Sequence, residues 1–243
     1  MYKTFNYFVL VFFFLILALP LGGILSKVNY DLNALYQFVQ NSYIHRVVYF
    51  SLYQAFLSSF LSCLIAIPFA LALNRNKNYK IVKFIISICG FSFVIPSILI
   101  VYAVIKLFGN NGLFNTFFNL YELISINSIY GFKAILIAHI LLNAPFASRL
   151  FFQNLNNIPQ KYYEISSSLN LTYLGNIYKV ELPIIRQNLF SVFAIIFSLC
   201  FLSFAIVMAL GGGPSYSTIE VAIYQYALFE LNFDKAIILS FIQ

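Results

Sequence analysis

The chain has 243 residues, of which 62% are hydrophobic and only 9% charged, and its formal charge is +7. That composition belongs to the membrane class and excludes a soluble core. The basic residues are gathered in loops, so the charge speaks for membrane topology and against nucleic-acid binding. In chain order, apolar runs over Tyr7–Leu25, Val47–Leu73, Phe84–Ile105, Ile129–Ala147 and Leu189–Leu210 approach or exceed the roughly 20 residues that a helix needs to cross a bilayer. A sixth run starts at Ala236 and stops at Gln243. The expectation is an all-α polytopic membrane protein of about six spans, the last one cut short, and a piece of a longer polypeptide.

Arg75, Lys77, Lys80 and Lys83 crowd one loop, and Arg149, Lys161, Lys179 and Arg186 crowd the loop two spans later. The segments around Glu122 and around Glu220, Glu230 and Asp234 are poor in Lys and Arg away from the span ends. This alternation places the N-terminus, the 74–83 loop and the 148–188 loop in the cytoplasm, and the 26–46, 108–128 and 211–235 segments outside. Lys27 and Arg46 are exceptions in the first outer loop. The first run follows Lys3 but is long for a signal core and lacks a small-x-small cleavage site, so an uncleaved span is expected.

Within the 26–46 segment, Leu32, Leu35, Tyr36 and Val39 mark a short surface helix. Pro68 sits near the cytoplasmic end of the second span. Pro96 sits in the middle of the third, where a proline frees a backbone carbonyl and kinks a packed helix, with a hinge as the functional alternative. The fourth span carries polar groups: Lys133, His139, Asn143, Pro145 and Arg149. His139 and Asn143, four residues apart, share a helix face. They either line a translocation path, together with Pro96, or bond a neighbouring helix. Cys63, Cys89 and Cys200 lie inside apolar runs without paired spacing, which favours free thiols packed as small hydrophobes over a disulfide or a metal site.

Between Pro159 and Pro183 the chain turns polar and basic, reading P-Q-K-Y-Y-E-I-S-S-S-L-N-L-T-Y-L-G-N-I-Y-K-V-E-L-P. Pro159 suits a first helical turn, and Tyr162, Ile165, Leu169 and Tyr173 recur at helical spacing. Asn170 offers a left-handed stop, Thr172 a cap for a second short helix, and Pro183 an end to it.

The register of this loop resembles the signature of importer permeases driven by ATP-binding cassettes: E-A-A, three residues, Gly, nine residues, Ile, one residue, Leu-Pro. Glu164, Asn170, Val180 and Leu182-Pro183 fall at its positions, with Ile165-Ser166 in place of Ala-Ala, Asn170 in place of Gly and Val180 in place of Ile. The resemblance implies a cytoplasmic coupling loop over 151–188. Its segment Glu164, Ile165, Ser166, Ser167, Ser168, Leu169 and Asn170, followed by Leu182 and Pro183, would dock on an ATPase subunit.

Downstream, Gly211, Gly212, Gly213 and Pro214 break the helix, and no lysine follows in the manner of a phosphate-binding loop. This run, with Thr218-Ile219-Glu220, Ala222-Ile223-Tyr224-Gln225 and Asp234-Lys235-Ala236, is similar to the corresponding segment of thiamine and thiamine pyrophosphate importer permeases. So is Ser148-Arg149-Leu150 through Asn157-Ile158-Pro159. The likeness covers about residues 130–240 and implies that residues 1–243 are the first transmembrane half of a two-half permease. It further implies two copies of an ATP-binding cassette subunit, a periplasmic solute-binding protein meeting Gly211–Pro214 and Glu220, a second permease half, fused or separate, and surrounding lipid. The implied location is the bacterial inner membrane.

No Walker motif is present, so ATP belongs to the partner and no cofactor to this chain. No H-E-x-x-H or G-x-S-x-G occurs, and with His45 and His139 as the available imidazoles neither catalytic residues nor a metal site is expected. Ferric iron or another small solute is the rival substrate. A non-transporting membrane scaffold is the rival class.

Overall fold

The structure, a computed structural model, describes residues 2–26, 32–109, 112–114, 116 and 130–243. Lys27 and Glu122 of the outer segments lie outside the described residues, as does Ile129 at the start of the fourth apolar run. Every described element is helical. In chain order they are α1 (Tyr2–Leu25), α2 (Leu32–Val39), α3 (Ser42–Arg75), α4 (Lys80–Phe91), α5 (Ser97–Phe108), α6 (Phe132–Asn156), α7 (Gln160–Ser168), α8 (Tyr173–Asn176), α9 (Leu182–Phe201), α10 (Ala205–Leu210), α11 (Ile219–Tyr224) and α12 (Phe233–Ile242). Wider π-helical turns at Ile177–Glu181 and Gln225–Phe229 follow α8 and α11.

Among the described residues, three continuous stretches are long and apolar enough to cross a membrane: Ser42–Arg75, Phe132–Asn156 and Tyr173–Phe201. The expected third span, Phe84–Ile105, is not one helix: α4 ends at Phe91 and α5 starts at Ser97. Pro96 acts as the N-cap of α5 and has φ −55° and ψ 128°, so the chain leaves the helix there instead of merely bending. The fifth run, Leu189–Leu210, likewise breaks between Phe201 and Ala205.

A second correction concerns Pro183. It does not end the short helix that Thr172 caps. It sits in the first turn of α9, where its missing N–H costs nothing, and the π turn carries the chain into α9 without a stop. The expectation of a break treated proline as a terminator, whereas position decides whether it terminates or initiates.

The chain divides into two compact units, Met1–Val48 with Ile219–Gln243, and Tyr49–Thr218. In the first, α2 buries Phe38 against Tyr226 with ring centroids 5.7 Å apart, while Tyr36 and Val39 of the anticipated face are exposed. The Tyr43 hydroxyl donates to Gln225 Oε1 at 3.2 Å. Asn232 caps α12 by accepting from the Lys235 N–H, and Gln243 Nε2 donates to Glu220 Oε1 at 2.6 Å. Along α1, Tyr7–Ile16 are exposed, as suits an element surrounded by hydrocarbon.

In the second unit α3, α6 and α9 form the core. Ala55, Cys63, Ala66 and Ala70 of α3 meet Ala147, Phe151 and Leu155 of α6 and Ile185, Val192, Ile196 and Cys200 of α9. Small side chains at spacings of three and four let helices approach closely where lipid provides no hydrophobic drive. The cysteines are free and buried, packed as small apolar groups. With its 34 residues α3 is about 51 Å long, well beyond the roughly 30 Å hydrocarbon thickness, so an end of it must project into water.

Candidate coupling face and mid-span cavity

The polar loop folds as two short helices. In α7 Ser166 is the one buried residue, while Tyr162, Ile165 and Leu169 are exposed, the last two at 48% and 67%. An apolar row on a short helix turned away from its own protein is unusual for a monomer surface. The helix closes as the sequence indicates. Asn170 takes φ 52°, its N–H donates to the Ser167 carbonyl, and the Leu171 N–H donates to the Ser166 carbonyl, both at 3.0 Å. This is the double hydrogen bond of a left-handed helix stop, with Asn in the place usually held by Gly. The Thr172 hydroxyl then accepts from the Gly175 N–H at 3.2 Å and opens α8.

What holds these helices is a cluster at the end of α3. Arg75 Nη2 donates to Glu181 Oε2 at 2.8 Å, and Glu181 is 1% exposed. The Tyr163 hydroxyl donates to Glu181 Oε1 at 3.4 Å and accepts from Asn74 Nδ2 at 3.3 Å. The Arg75 guanidinium also lies 3.8 Å from the centroid of the Tyr173 ring. Burial pushes the Tyr163 phenol above its ordinary value; the Glu181 charge adds to this and the Asn74 hydrogen bond opposes it. The phenol therefore stays a neutral donor to Glu181. One arginine thus binds α3 to both α8 and the π turn, and Tyr163 adds α7. Clefts of 470 Å³ and 520 Å³ flank α7, the first lined by Pro159, Tyr162 and Lys179, the second by Arg75, Tyr163 and Glu181.

The second polar region lies within the bundle. A cavity of 370 Å³ is walled by Ser92, Phe93, Ile95 and Ser97 at the α4–α5 break, by His139, Asn143 and Phe146 of α6, and by Leu202, Ser203 and Phe204 at the α9–α10 break. His139, 1% exposed, pairs its Nδ1 with Ser58 Oγ of α3 at 3.2 Å, leaving Nε2 without a partner. Asn143 Nδ2 donates to Cys200 Sγ at 3.2 Å, and Gln54 Nε2 to the Cys200 carbonyl at 3.0 Å. Phe93 and Phe146 stack with centroids 5.1 Å apart.

No family model matches the sequence. The chain is 37% identical over 206 residues to the thiamine transport system permease protein ThiP of Haemophilus influenzae, covering 84% of this chain and 38% of that protein. It is 37% identical over 204 residues to the protein of the same name in Escherichia coli, covering 84% of this chain and 38% of that protein. Against the one in Brucella abortus it is 34% identical over 222 residues, covering 91% of this chain and 39% of that protein. Among solved structures, the chain superposes on a bacterial ABC transporter involved in the import of alginate with TM-score 0.78 at 17% identity, covering 96% of this chain and 86% of that one. For the inward-facing methionine ABC transporter MetNI the TM-score is 0.61 at 20% identity, covering 81% and 88%. Over 84–91% of its length the chain is similar to part of these thiamine permeases, and it shares the fold of ABC importer permeases. It spans 38–39% of the length of these thiamine permeases.

In this chain the residues singled out by the loop register separate into two kinds. Glu164, Ile165, Ser167, Ser168, Leu169 and Asn170 are exposed, as are Leu182 and Pro183 at the start of α9, whereas Ser166 is buried with its hydroxyl on the Tyr163 carbonyl at 2.8 Å. His139 and Asn143 do face one cavity, and Pro96 stands between two of its lining residues, Ile95 and Ser97. Gly212 and Gly213 take φ 71° and 134°, a conformation only glycine adopts freely, and with Pro214 they are exposed, while Gly211 is buried. Glu220 lies in the other unit.

Glu181 was missed. It occupies the unspecified position before Leu-Pro, and nothing in helical periodicity distinguishes it. The available signal was chemical: an acid in a loop of basic residues, from a chain with seven acidic residues in all.

Proposed function

We propose that this chain is part of the transmembrane subunit of a binding-protein-dependent importer for thiamine or thiamine pyrophosphate in the bacterial inner membrane, with α7 as the element that docks on an ATP-binding cassette partner. The observation that carries the reading is the exposed row Tyr162, Ile165 and Leu169 on a helix tied to the membrane span α3 through Arg75, Glu181 and Tyr163. A docked partner that moves α7 therefore pulls on α3, and a bundle with two packings a few kcal/mol apart is biased between inward-open and outward-open forms. Two ATPase copies, a solute-binding protein at Gly211–Pro214 and a second permease half complete the assembly. The named thiamine permeases support the substrate.

Copurification of the complete reading frame with its candidate ATPase, in parallel with uptake of labelled thiamine, tests this. Leu169→Arg combined with Glu164→Arg is expected to abolish both while the chain still inserts and folds. ATPase capture unaffected by that pair of substitutions overturns the docking assignment, and intact capture with no thiamine uptake by the unaltered system overturns the substrate.

A further inference from the structure

Two interrupted apolar runs meet at one cavity. The α4–α5 break supplies Ser92, Phe93 and Ser97, and the α9–α10 break supplies Ser203. Irregular backbone at membrane depth persists only where protein or a solvated cavity satisfies its polar groups, and interrupted helices commonly frame solute sites. Yet simple structural accommodation leaves one group unexplained. His139 Nε2 is buried and has no partner, although its other ring nitrogen is fixed by Ser58. Leaving such a group unpaired costs a substantial part of a hydrogen bond, which a polar occupant of the adjoining cavity would recover.

The chemistry of the walls narrows that occupant. Among the described residues no group of three or more His, Cys, Asp or Glu is placed to hold a metal ion, and no Lys or Arg lines this cavity. A ferric ion lacks carboxylate and phenolate ligands there, and a bare phosphate lacks a cationic partner. What the walls offer is two stacked phenyl rings, Phe93 and Phe146, beside two neutral hydrogen-bonding groups, His139 and Asn143. Aromatic faces attract flat rings and delocalised cations, and the imidazole and the carboxamide each give or take a hydrogen bond on a ring edge. A volume of 370 Å³ lies at the small end of the roughly 300–1,000 Å³ typical of ligand pockets, so it suits one small solute.

We infer that this cavity is a solute-recognition site for a small heteroaromatic cation bearing an aminopyrimidine-like edge. The ring lies against Phe93 and Phe146, and its edge bonds to His139 Nε2 and Asn143. This inference rests on the permease reading and deepens it: the membrane chain itself, and not only a soluble binding protein, discriminates the solute. Either tautomer of His139 serves, because the Ser58 hydroxyl both donates and accepts.

The test is equilibrium binding of radiolabelled thiamine to the full chain in lipid nanodiscs, with the thiol-unmasking temperature of its buried cysteines as the control for folding. Saturable binding is expected, weakened about tenfold or more by His139→Leu and by Asn143→Leu, the loss of one hydrogen bond to a buried partner. His139→Gln, which keeps a donor and an acceptor, is expected to restore most of the affinity. Oxythiamine, whose ring edge carries a carbonyl in place of the amino group, is expected to compete poorly. Absence of saturable thiamine binding, or equal binding by the wild type and both leucine variants, overturns the site even where the ATPase still copurifies. Binding that depends on His139 and Asn143 in a chain that captures no ATPase supports the site and removes the importer reading instead.

Discussion

At the end of α3, Arg75 meets Glu181 as two full charges, whereas Ser58, roughly 25 Å back along the same helix by its rise per residue, meets a histidine in a cluster made of neutral groups. The difference follows from depth. An ion pair at the edge of the bundle recovers its desolvation cost through a short contact, a phenol and an aromatic face. Within the spans a charge is far more expensive, and neutral polar groups form hydrogen bonds of modest strength that leave the helices free to repack. The first region suits the proposed transmission of force because it is costly to break. The second suits the proposed solute site because its bonds are weak and one is unmade.

The sharpest way to break this comparison is Glu181→Ala. It leaves Arg75 largely buried without its partner, and the expected loss of stability is about 3 kcal/mol, reduced somewhat by the partial exposure of Arg75. The chain has no tryptophan, so unfolding is best followed by a thiol-reactive dye reporting Cys63, Cys89 and Cys200 as they become accessible in a denaturant series. A loss below about 1 kcal/mol would place the pair with ordinary surface bridges and remove the mechanical role given to it.

Asn170→Val comes next. A β-branched residue at φ 52° is expected to cost about 1–2 kcal/mol, while Asn170→Gly holds or slightly raises stability. The same dye assay, joined to ATPase capture, separates a loosened loop from a lost docking contact.

Thr172→Ala removes the cap of α8, with an expected cost of about 1 kcal/mol that Thr172→Ser largely restores. Because α8 carries Tyr173 beneath Arg75, the loss should be smaller in an Arg75→Ala background, and strict additivity would show that the cap and the ion pair are independent.

The smallest effect is expected from Ser58→Ala, about 0.6 kcal/mol, the typical value for a hydrogen bond between membrane helices. A loss equal to that of Glu181→Ala would erase the contrast between the two regions and show His139 to be a structural anchor.

Much of the loop was readable because its cues are local. Asn170 as a left-handed stop and Thr172 as a cap depend on a few neighbouring residues, and both are found as expected. The role of Pro183 was misjudged because proline suits both the residue after a helix and its first turn. Only the π turn over Ile177–Glu181, which keeps the chain helical into α9, decides between them. Pro96 was recognised as special, but a kink and a full break have the same local sequence, and the outcome depends on what stands beside the freed backbone.

By itself the sequence determined the membrane class, the helical period of the spans, the local turns of the loop between Pro159 and Pro183 and the pairing of His139 with Asn143 on one face. Those follow from composition and from spacings of a few residues, where backbone geometry leaves little choice. The tertiary structure alone decided that Glu181 faces Arg75 across 106 positions of chain, and that the two breaks open onto the same cavity beside His139. Such contacts are set by how helices pack, and packing joins residues whose separation along the chain carries no information about their distance in space.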